Sequence, residues 1–310
     1  MEILFAGGVF LYDVIIVGAG PAGLTAAIYA CRAEKSTLVL EAKSYGGQII
    51  NTPDIANYPV APGISGFEFA TTLFNQAKDL GALVKFEKVT EVRGGDVKTV
   101  VTPKNTYEAK TVILATGAEN RKLGVADEDK LIGKGVSYCA TCDGNFFRKK
   151  VVAVAGGGNT AVEDALYLAD LAEKVYLIHR RDSFRADASL VSKLKARENV
   201  ELVLNCTVTA LRHDGRLNGV EVTDKLTGET RVLDVAGLFV AVGQVPENQN
   251  FAGLIDLDET GYAVAGEDCL TKAPGVFVAG DNRAKDVRQL ITAAADGAVA
   301  ATAAIKYLNE

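Results

Sequence analysis

The stretch Tyr12-Asp13-Val14-Ile15-Ile16-Val17-Gly18-Ala19-Gly20-Pro21-Ala22-Gly23 decides the fold. Its apolar, β-branched first half predicts a buried strand from Leu11 to Val17, and the small residues beyond it, Ala26, Ala27 and Ala30, predict a helix. Between them stands Gly-x-Gly-x-x-Gly, the turn of a dinucleotide-binding unit. Gly18 permits the tight turn, Gly20 lets the backbone approach a pyrophosphate, and Gly23 lets helix and strand pack closely, while the helix N-terminus attracts the anion. The next predicted strand, Thr37 to Leu40, ends at Glu41, where a carboxylate can accept hydrogen bonds from ribose hydroxyls.

The same device recurs. The strand Val151 to Ala155 leads into Gly156-Gly157-Gly158-Asn159-Thr160-Ala161, then a helix through Val162, Ala165, Leu166 and Ala169, then the strand Lys174 to Ile178. Here the second strand ends in His179-Arg180-Arg181, with Arg185 close behind, in place of an acid. A carboxylate would repel a 2′-phosphate, whereas guanidinium groups bind one with charge-assisted hydrogen bonds, so this site is read as built for NADP(H) over NAD(H). A solvated basic loop is the bland alternative. His179 is read as part of that loop, not as a catalytic base.

Each device is followed by a second apolar strand and turn, Thr111 to Gly117 after the first and Leu238 to Gly243 after the second. Val276 to Asp281 then leads into an Ala-rich helix near Gln289 to Leu308. This order predicts an α/β protein of two Rossmann-like dinucleotide-binding domains, one inserted within the other. The outer domain takes residues 1–120 and 245–310 and the inner takes 121–244. An amphipathic helix, Gly66 to Leu80, with Phe67, Ala70, Leu73, Phe74 and Ala77 on its apolar face, falls inside the outer domain.

Composition limits the chemistry. A chain of 310 residues, 48% hydrophobic and 23% charged, has an ordinary globular balance. Its 33 Lys and Arg against 39 Asp and Glu give a formal charge of −6, which supplies no positive field to recruit nucleic acid. Met1 to Val17 is apolar, yet it lacks Lys and Arg and runs straight into the glycine turn, so it is not read as a signal peptide. Met1 to Phe10 is read as an extension of unassigned role. No run reaches the roughly 20 apolar residues that span a bilayer. With free cysteines and no export signal, a cytoplasmic setting and no membrane partner are expected. Only two histidines, His179 and His213, are present, which points the chemistry toward cysteine or a bound cofactor.

Of the five cysteines, Cys31, Cys139, Cys142, Cys206 and Cys269, one pair has a suggestive spacing: Cys139-Ala140-Thr141-Cys142, followed by Asp143. Two cysteines so placed at a helix start or turn can close a small ring and lower a thiol's pKa toward about 7. Zinc binding and an inert buried pair are the alternatives, zinc lacking two further ligands nearby in sequence. Asp143 can shuttle a proton, or can serve only as a cap or turn acid. Cys31 is read as a small buried hydrophobe, and Cys206 and Cys269 have no assigned role.

The ordered set Gly18–Gly23, Gly46-Gly47-Gln48, Asn57-Tyr58-Pro59, Ala115-Thr116-Gly117, Cys139–Asp143, Gly156–Ala161, His179-Arg180-Arg181, Phe184-Arg185-Ala186, Gly280-Asp281 and Arg288-Gln289 resembles the low-molecular-weight thioredoxin reductases from about Tyr12 to the C-terminus. The resemblance implies a homodimeric flavoprotein that passes electrons from NADPH through FAD and a Cys139/Cys142 disulfide to thioredoxin. It implies FAD contacts at Gly18, Gly20, Pro21, Ala22, Gly23, Glu41, Gly47, Gln48 and Asn57, and again at Thr116, Gly117, Gly280, Asp281, Arg288 and Gln289. It implies NADPH contacts at Gly156, Gly158, Asn159, Thr160, Ala161, His179, Arg180, Arg181 and Arg185. Cys142 would face the flavin, Cys139 would attack thioredoxin, and Asp143 would supply a proton. Because NADPH and the cysteine pair share the inner domain and one flavin, that domain is expected to rotate, hinging near Gly117 to Arg121 and Gly243 to Asn248. Phe146 and Phe147 are read as core residues, with docking of thioredoxin as the alternative. Related reductases fed by ferredoxin or serving another protein disulfide, and a non-catalytic flavin redox sensor, are the competing functions; ferredoxin would not need the three arginines.

Overall fold

In the computed structural model, which describes residues 10–52, 55, 57–61 and 63–310, the opening apolar run becomes the strand Leu11–Val17 inside a seven-stranded sheet. Parallel strands flank it on both sides, Thr37–Leu40 with Val14 opposite Thr37, and Thr106–Leu114 with Val14 opposite Thr111. Val14, Ile15 and Ile16 are wholly enclosed, because helices or loops cover both faces; that is why the strand reads as a continuous apolar run and not as an alternation. Leu83–Lys85 adds a further parallel strand beside Thr37–Leu40. Thr106–Leu114 starts earlier than its apolar core suggests and takes two partners in succession. Thr106–Ala109 pairs antiparallel with Lys98–Val101, and Val112–Leu114 pairs parallel with Val276–Val278. Glu91–Arg93 closes the antiparallel edge.

The helices Pro21–Arg32 and Leu290–Asn309 share one core on this sheet, where Ala26, Ala27, Ala30, Ala300, Ala301 and Ala304 are buried together. Alanines on both helices permit the close approach that larger side chains would prevent. The helix Gly66–Asp79 begins at Ser65, whose side chain accepts the Glu68 N–H at 3.1 Å, a cap that the sequence pattern alone leaves unmarked. Ala70 and Ala77 are buried as expected, but Phe67, counted into its apolar face, is 58% exposed. It sits in the first turn of the helix.

The second glycine device builds a separate five-stranded sheet, parallel throughout, in the order Val200–Val203, Lys174–Ile178, Val151–Gly156, Gly237–Ala241, Val136–Ser137. Cys206–His213, Leu217–Asp224 and Thr230–Leu233 form an antiparallel three-stranded sheet. The chain divides into two compact units, Met1–Thr52 with Ile64–Glu119 and Val245–Glu310, and Pro53–Gly63 with Asn120–Gln244. The two chain crossings, Ala118–Asn120 and Gln244–Pro246, pair with each other as a two-stranded ribbon. Of the extension Met1 to Phe10, only Phe10 lies among the described residues, its ring edge-on to Tyr12. Among the described residues no helix is long and apolar enough to cross a membrane.

Two readings of single side chains need correction. Phe147 is buried, edge-on to Phe239 at 5.3 Å, but Phe146 is 46% exposed, because the 3₁₀ turn Gly144–Phe147 points successive side chains in different directions. Cys31, read as buried, is half-buried, packed against the alanine core.

A buried ion cluster ties the last helix to the loop after Val276–Val278. Asp296 accepts from the Gly280 N–H at 3.0 Å, from Arg283 Nε and Nη2 at 3.1 and 3.0 Å, and from Lys285 Nζ at 3.0 Å. Burial alone would raise the Asp296 pKa, but the hydrogen bonds from Arg283 and Lys285 and the charge of Lys285 bring it below the usual carboxylate range. The stability linked to this ionisation is present above the unfolded-state pKa and is lost as pH falls through the lower folded value. Asp296→Asn leaves two buried cations without their partner, so urea unfolding is expected to show a loss of about 3–5 kcal/mol at pH 7. The gap between variant and parent should narrow below about pH 4.

Candidate functional site

In the first unit, Gly20 caps the helix Pro21–Arg32 with an extended backbone and no side-chain hydrogen bond, which leaves the first-turn N–H groups for an anion. Gly18 has φ +109°, and a Cβ there would stand 2.3 Å from the Ala115 carbonyl oxygen. A Cβ on Gly23 would stand 1.9 Å from the Gly18 oxygen, so the turn can fold back on its own strand only as glycine at both positions. The neighbouring loop closes on this turn: the Gly46 N–H donates to the Ala19 oxygen at 2.7 Å, and Gly47 packs against Gly20. Gln48 donates from Nε2 to the Ala118 carbonyl, joining the start of the strand Ala118–Asn120. Glu41 Oε2 accepts from the Ala19 N–H at 2.7 Å and Oε1 from the Lys43 N–H at 2.8 Å, so the carboxylate is held at the turn's rim with one further acceptor position on each oxygen.

Beside that turn, at the same edge of the sheet, lie the loops after the adjacent strands Thr106–Leu114 and Val276–Val278. Thr116 Oγ1, Asp281 Oδ1, Asn282 Oδ1 and Arg288 Nε are all buried there with no hydrogen-bond partner among the described residues. Burial pushes the Asp281 carboxyl up, and its nearest cation, Lys285, stands at 3.8 Å, beyond hydrogen-bond reach. Orphaned buried polar atoms cost about 1–3 kcal/mol each, so this cluster fits a polar ligand that supplies the missing partners. Arg288 stacks on the Tyr262 ring at 3.9 Å, beside an open cavity of about 720 Å³. Gln289 caps the last helix in a reciprocal box with Thr292. Gly117, at φ +68°, turns the chain after Thr116. Asn57 is the exception: it is exposed, in a segment that groups with the second unit.

In the second unit Gly158 repeats the role of Gly20, with extended backbone and no side-chain cap on the helix Asn159–Ala169. The basic loop is fastened to this turn. Arg185 N–H donates to the Gly157 oxygen at 2.8 Å, and Asn159 exchanges two hydrogen bonds with Asp187, accepting from its N–H and donating to its carboxylate. The His179 ring lies across Gly157, where a Cβ would come within 2.1 Å of it, and stacks on Phe184 at 5.4 Å. Burial, and beyond it the charges of Arg180, Arg181 and Arg185, hold His179 below its ordinary pKa, so it is a neutral spacer. Arg180, Arg181 and Arg185 are exposed, and none is paired with a carboxylate among the described residues. The sequence signalled the arginines but not Asn159–Asp187 or Phe184–His179, because these pairs meet only across the fold.

Cys139 and Cys142 are joined in a disulfide, the pairing that the redox reading requires. Cys139 caps the short helix Ala140–Asp143, its sulfur accepting the Cys142 N–H at 3.2 Å, an arrangement that favours a thiolate on Cys139 when the bond opens. Asp143 accepts from Ser137 Oγ at 2.6 Å through Oδ2, while Oδ1 is shut off from solvent without a partner. Burial pushes its carboxyl up, against the opposing hydrogen bond from Ser137, which suits a proton donor. Ser137 escaped the sequence reading; its only signal was its position just before the pair. Burial raises the thiols of Cys31 and Cys206 and carries Cys269 up to about 12, so these three are poor thiolates.

Two uncapped glycine turns, each at the end of a strand paired in parallel on both sides, and a disulfide at a helix start define a dinucleotide-dependent disulfide oxidoreductase. The pyridine nucleotide-disulphide oxidoreductase family matches residues 12–298. The thioredoxin reductase of Listeria monocytogenes is 43% identical over 302 residues, 97% of this chain and 95% of that protein. Among solved structures, the thioredoxin reductase from Streptococcus pyogenes superposes with a TM-score of 0.92 at 39% identity, covering 96% of this chain and 98% of that one. The Lactococcus lactis thioredoxin reductase in its FR conformation gives 0.67 at 38% identity, covering 96% and 99%. The chain therefore belongs to the pyridine nucleotide-disulphide oxidoreductase family and, within it, to the low-molecular-weight thioredoxin reductases. Membership implies FAD and a nicotinamide dinucleotide as cofactors.

Gly23→Ala drives a methyl into the Gly18 carbonyl. It is expected to lower the flavin absorbance per chain after purification by more than half and to reduce stability by about 1–3 kcal/mol. Absorbance at the flavin band and thermal unfolding check both.

Proposed function

We propose that this chain reduces the disulfide of thioredoxin with electrons from NADPH, by way of FAD and the Cys139–Cys142 disulfide. The observation that carries the reading is the disulfide at the start of Ala140–Asp143, with Asp143 beside it and the arginine-bearing glycine turn in the same unit. When bound, the two cofactors supply the electron pair that opens the disulfide.

The chain's own groups do the rest. The turn Gly18–Gly23, with Pro21 and Ala22 in it, would hold the FAD pyrophosphate, and Glu41 would take the ribose hydroxyls. Thr116, Asp281 and Arg288 would give their unpaired atoms to the flavin end, with Gly47, Gln48, Gly117, Gly280 and Gln289 shaping the loops around it. The turn from Gly156 through Gly158, Asn159, Thr160 and Ala161 would hold the NADPH pyrophosphate, and Arg180, Arg181 and Arg185 its 2′-phosphate, with His179 keeping their loop in place. Cys139, favoured as the thiolate, attacks the thioredoxin disulfide. Asp143 gives a proton to the leaving thioredoxin sulfur, and Cys142 then attacks the mixed disulfide and releases the second thiol. A homodimer and a rotation of the inner unit between half-reactions belong to the same reading.

Purified protein mixed with NADPH and thioredoxin is expected to oxidise NADPH rapidly, and Cys139→Ser to abolish that turnover while NADPH still bleaches the flavin. Reduction by ferredoxin with none by NADPH would overturn the proposal. Replacing Arg180, Arg181 and Arg185 together with neutral residues is expected to raise the KM for NADPH by about tenfold or more and to leave that for NADH nearly unchanged, since each lost charge-assisted hydrogen bond is worth about 1.5–3 kcal/mol. Steady-state kinetics with both nucleotides decides this.

A further inference from the structure

Ser137 carries no role in the mechanism just described, yet its hydroxyl touches two of the three residues that do the sulfur chemistry. It is the last residue of the strand Val136–Ser137, paired in the sheet with Phe239 and only 4% exposed, so its position is fixed by the backbone. Its oxygen accepts the Cys139 N–H at 3.1 Å. Its single proton has two acceptors in reach, Asp143 Oδ2 at 2.6 Å and the Cys139 carbonyl at 3.3 Å, and the shorter, carboxyl contact is the stronger. The Asp143 N–H returns to the Cys139 carbonyl at 3.1 Å, which closes a ring of hydrogen bonds through the three residues. One atom of the ring stays unpaired: Asp143 Oδ1, enclosed and without a partner.

We infer that Ser137 is a positioning residue for thiol–disulfide exchange: by occupying Oδ2 of Asp143 it makes Oδ1 the oxygen that carries and delivers the proton. The inference rests on the proposed exchange with a protein disulfide. When Cys139 attacks the substrate disulfide, a sulfur–sulfur bond forms at Cys139 and the substrate's own bond breaks. The leaving substrate sulfur takes the proton from Asp143 Oδ1, which is enclosed while the Cys139–Cys142 bond is closed and has to be uncovered for the exchange. No bond to Ser137 is made or broken. The carboxylate left behind keeps the Ser137 hydrogen bond, which is stronger to a charged acceptor than to a neutral one and so eases the proton's release.

The neighbours of Asp143 within its unit offer no substitute. The helix packed on it, Asn159–Ala169, carries Glu163, Asp164 and Tyr167, and neither these nor any other charged group shifts Asp143; only burial and Ser137 do. The next turn along the chain, Gly144–Phe147, and the strand paired with Ser137, Gly237–Ala241, hold no titratable side chain.

The test is the pH dependence of iodoacetamide alkylation at Cys139 in the dithiothreitol-reduced full chain: Asp143 is hydrogen-bonded to the Cys139 carbonyl, and a carboxylate this close opposes a thiolate by charge, so ionisation of the one is read in the reactivity of the other. Ser137→Ala removes the hydrogen bond that favours the carboxylate, so the Asp143 limb is expected to move to higher pH by about one unit. The same shift should appear in the pH profile of thioredoxin turnover, while flavin bleaching by NADPH is unchanged. Ser137→Thr, which keeps the hydroxyl, should restore the limb. In an Asp143→Asn background Ser137→Ala should add no shift. An unmoved limb in Ser137→Ala, or a shift that persists without the Asp143 carboxyl, overturns the inference. The alkylation profile needs no NADPH, FAD or thioredoxin. Failure of the parent chain to reduce thioredoxin would therefore count against the proposed function, while the profile still decides the role of Ser137.

Discussion

Parallel strand pairing is the constraint on which the first site depends. Leu11–Val17, Thr37–Leu40, Thr106–Leu114 and Val276–Val278 all run the same way, so the chain leaves the sheet at one edge four times. The loops beyond those strand ends carry Gly18–Gly23, Glu41, Thr116–Gly117 and Gly280–Asp281, residues far apart in the chain and gathered by that shared polarity. The second unit repeats the rule with Val151–Gly156, Lys174–Ile178 and Gly237–Ala241. An antiparallel sheet would send alternate loops to opposite edges and divide each site in two.

The two devices differ at the end of their second strand. Glu41 is engaged partly by the turn's own backbone, which fixes it as an acceptor at the rim. In the second unit the acid gives way to three exposed arginines on a loop pinned by Asn159, Asp187, His179 and Phe184. A free basic loop would be a solvated surface, whereas one held against the glycine turn loses less conformational entropy on meeting an anion. His179 contributes by filling the space above Gly157, a role that needs its ring.

Thiol chemistry is partitioned by burial. Cys206 and Cys269 are enclosed and Cys31 is half-buried, and desolvation raises all three away from the thiolate. Cys139 sits where a backbone N–H reaches its sulfur. Asp143, close in sequence, is shifted upward by the same desolvation that silences the other thiols. One physical effect therefore disarms three cysteines and arms the acid beside the working pair.

The glycine turns, the strands on either side of them, the contrast between Glu41 and the arginines, and the Cys-x-x-Cys spacing were legible in the sequence, because each depends on residues adjacent in the chain or on a local period. The pattern also placed Gly66–Asp79 as a helix while misjudging Phe67, since periodicity marks a face but not where the face ends. Phe146 and Phe147 read alike and lie differently, because a tight turn separates neighbours that composition cannot. Tertiary structure alone decided that Ser137 holds Asp143, that Arg283 and Lys285 converge on Asp296, and that Thr116, Asp281 and Arg288 present unpaired atoms together. Hydrogen bonds and desolvation act over a few ångströms of space. Local sequence therefore specifies which chemical groups are available, and only the packing of distant segments specifies which of them meet.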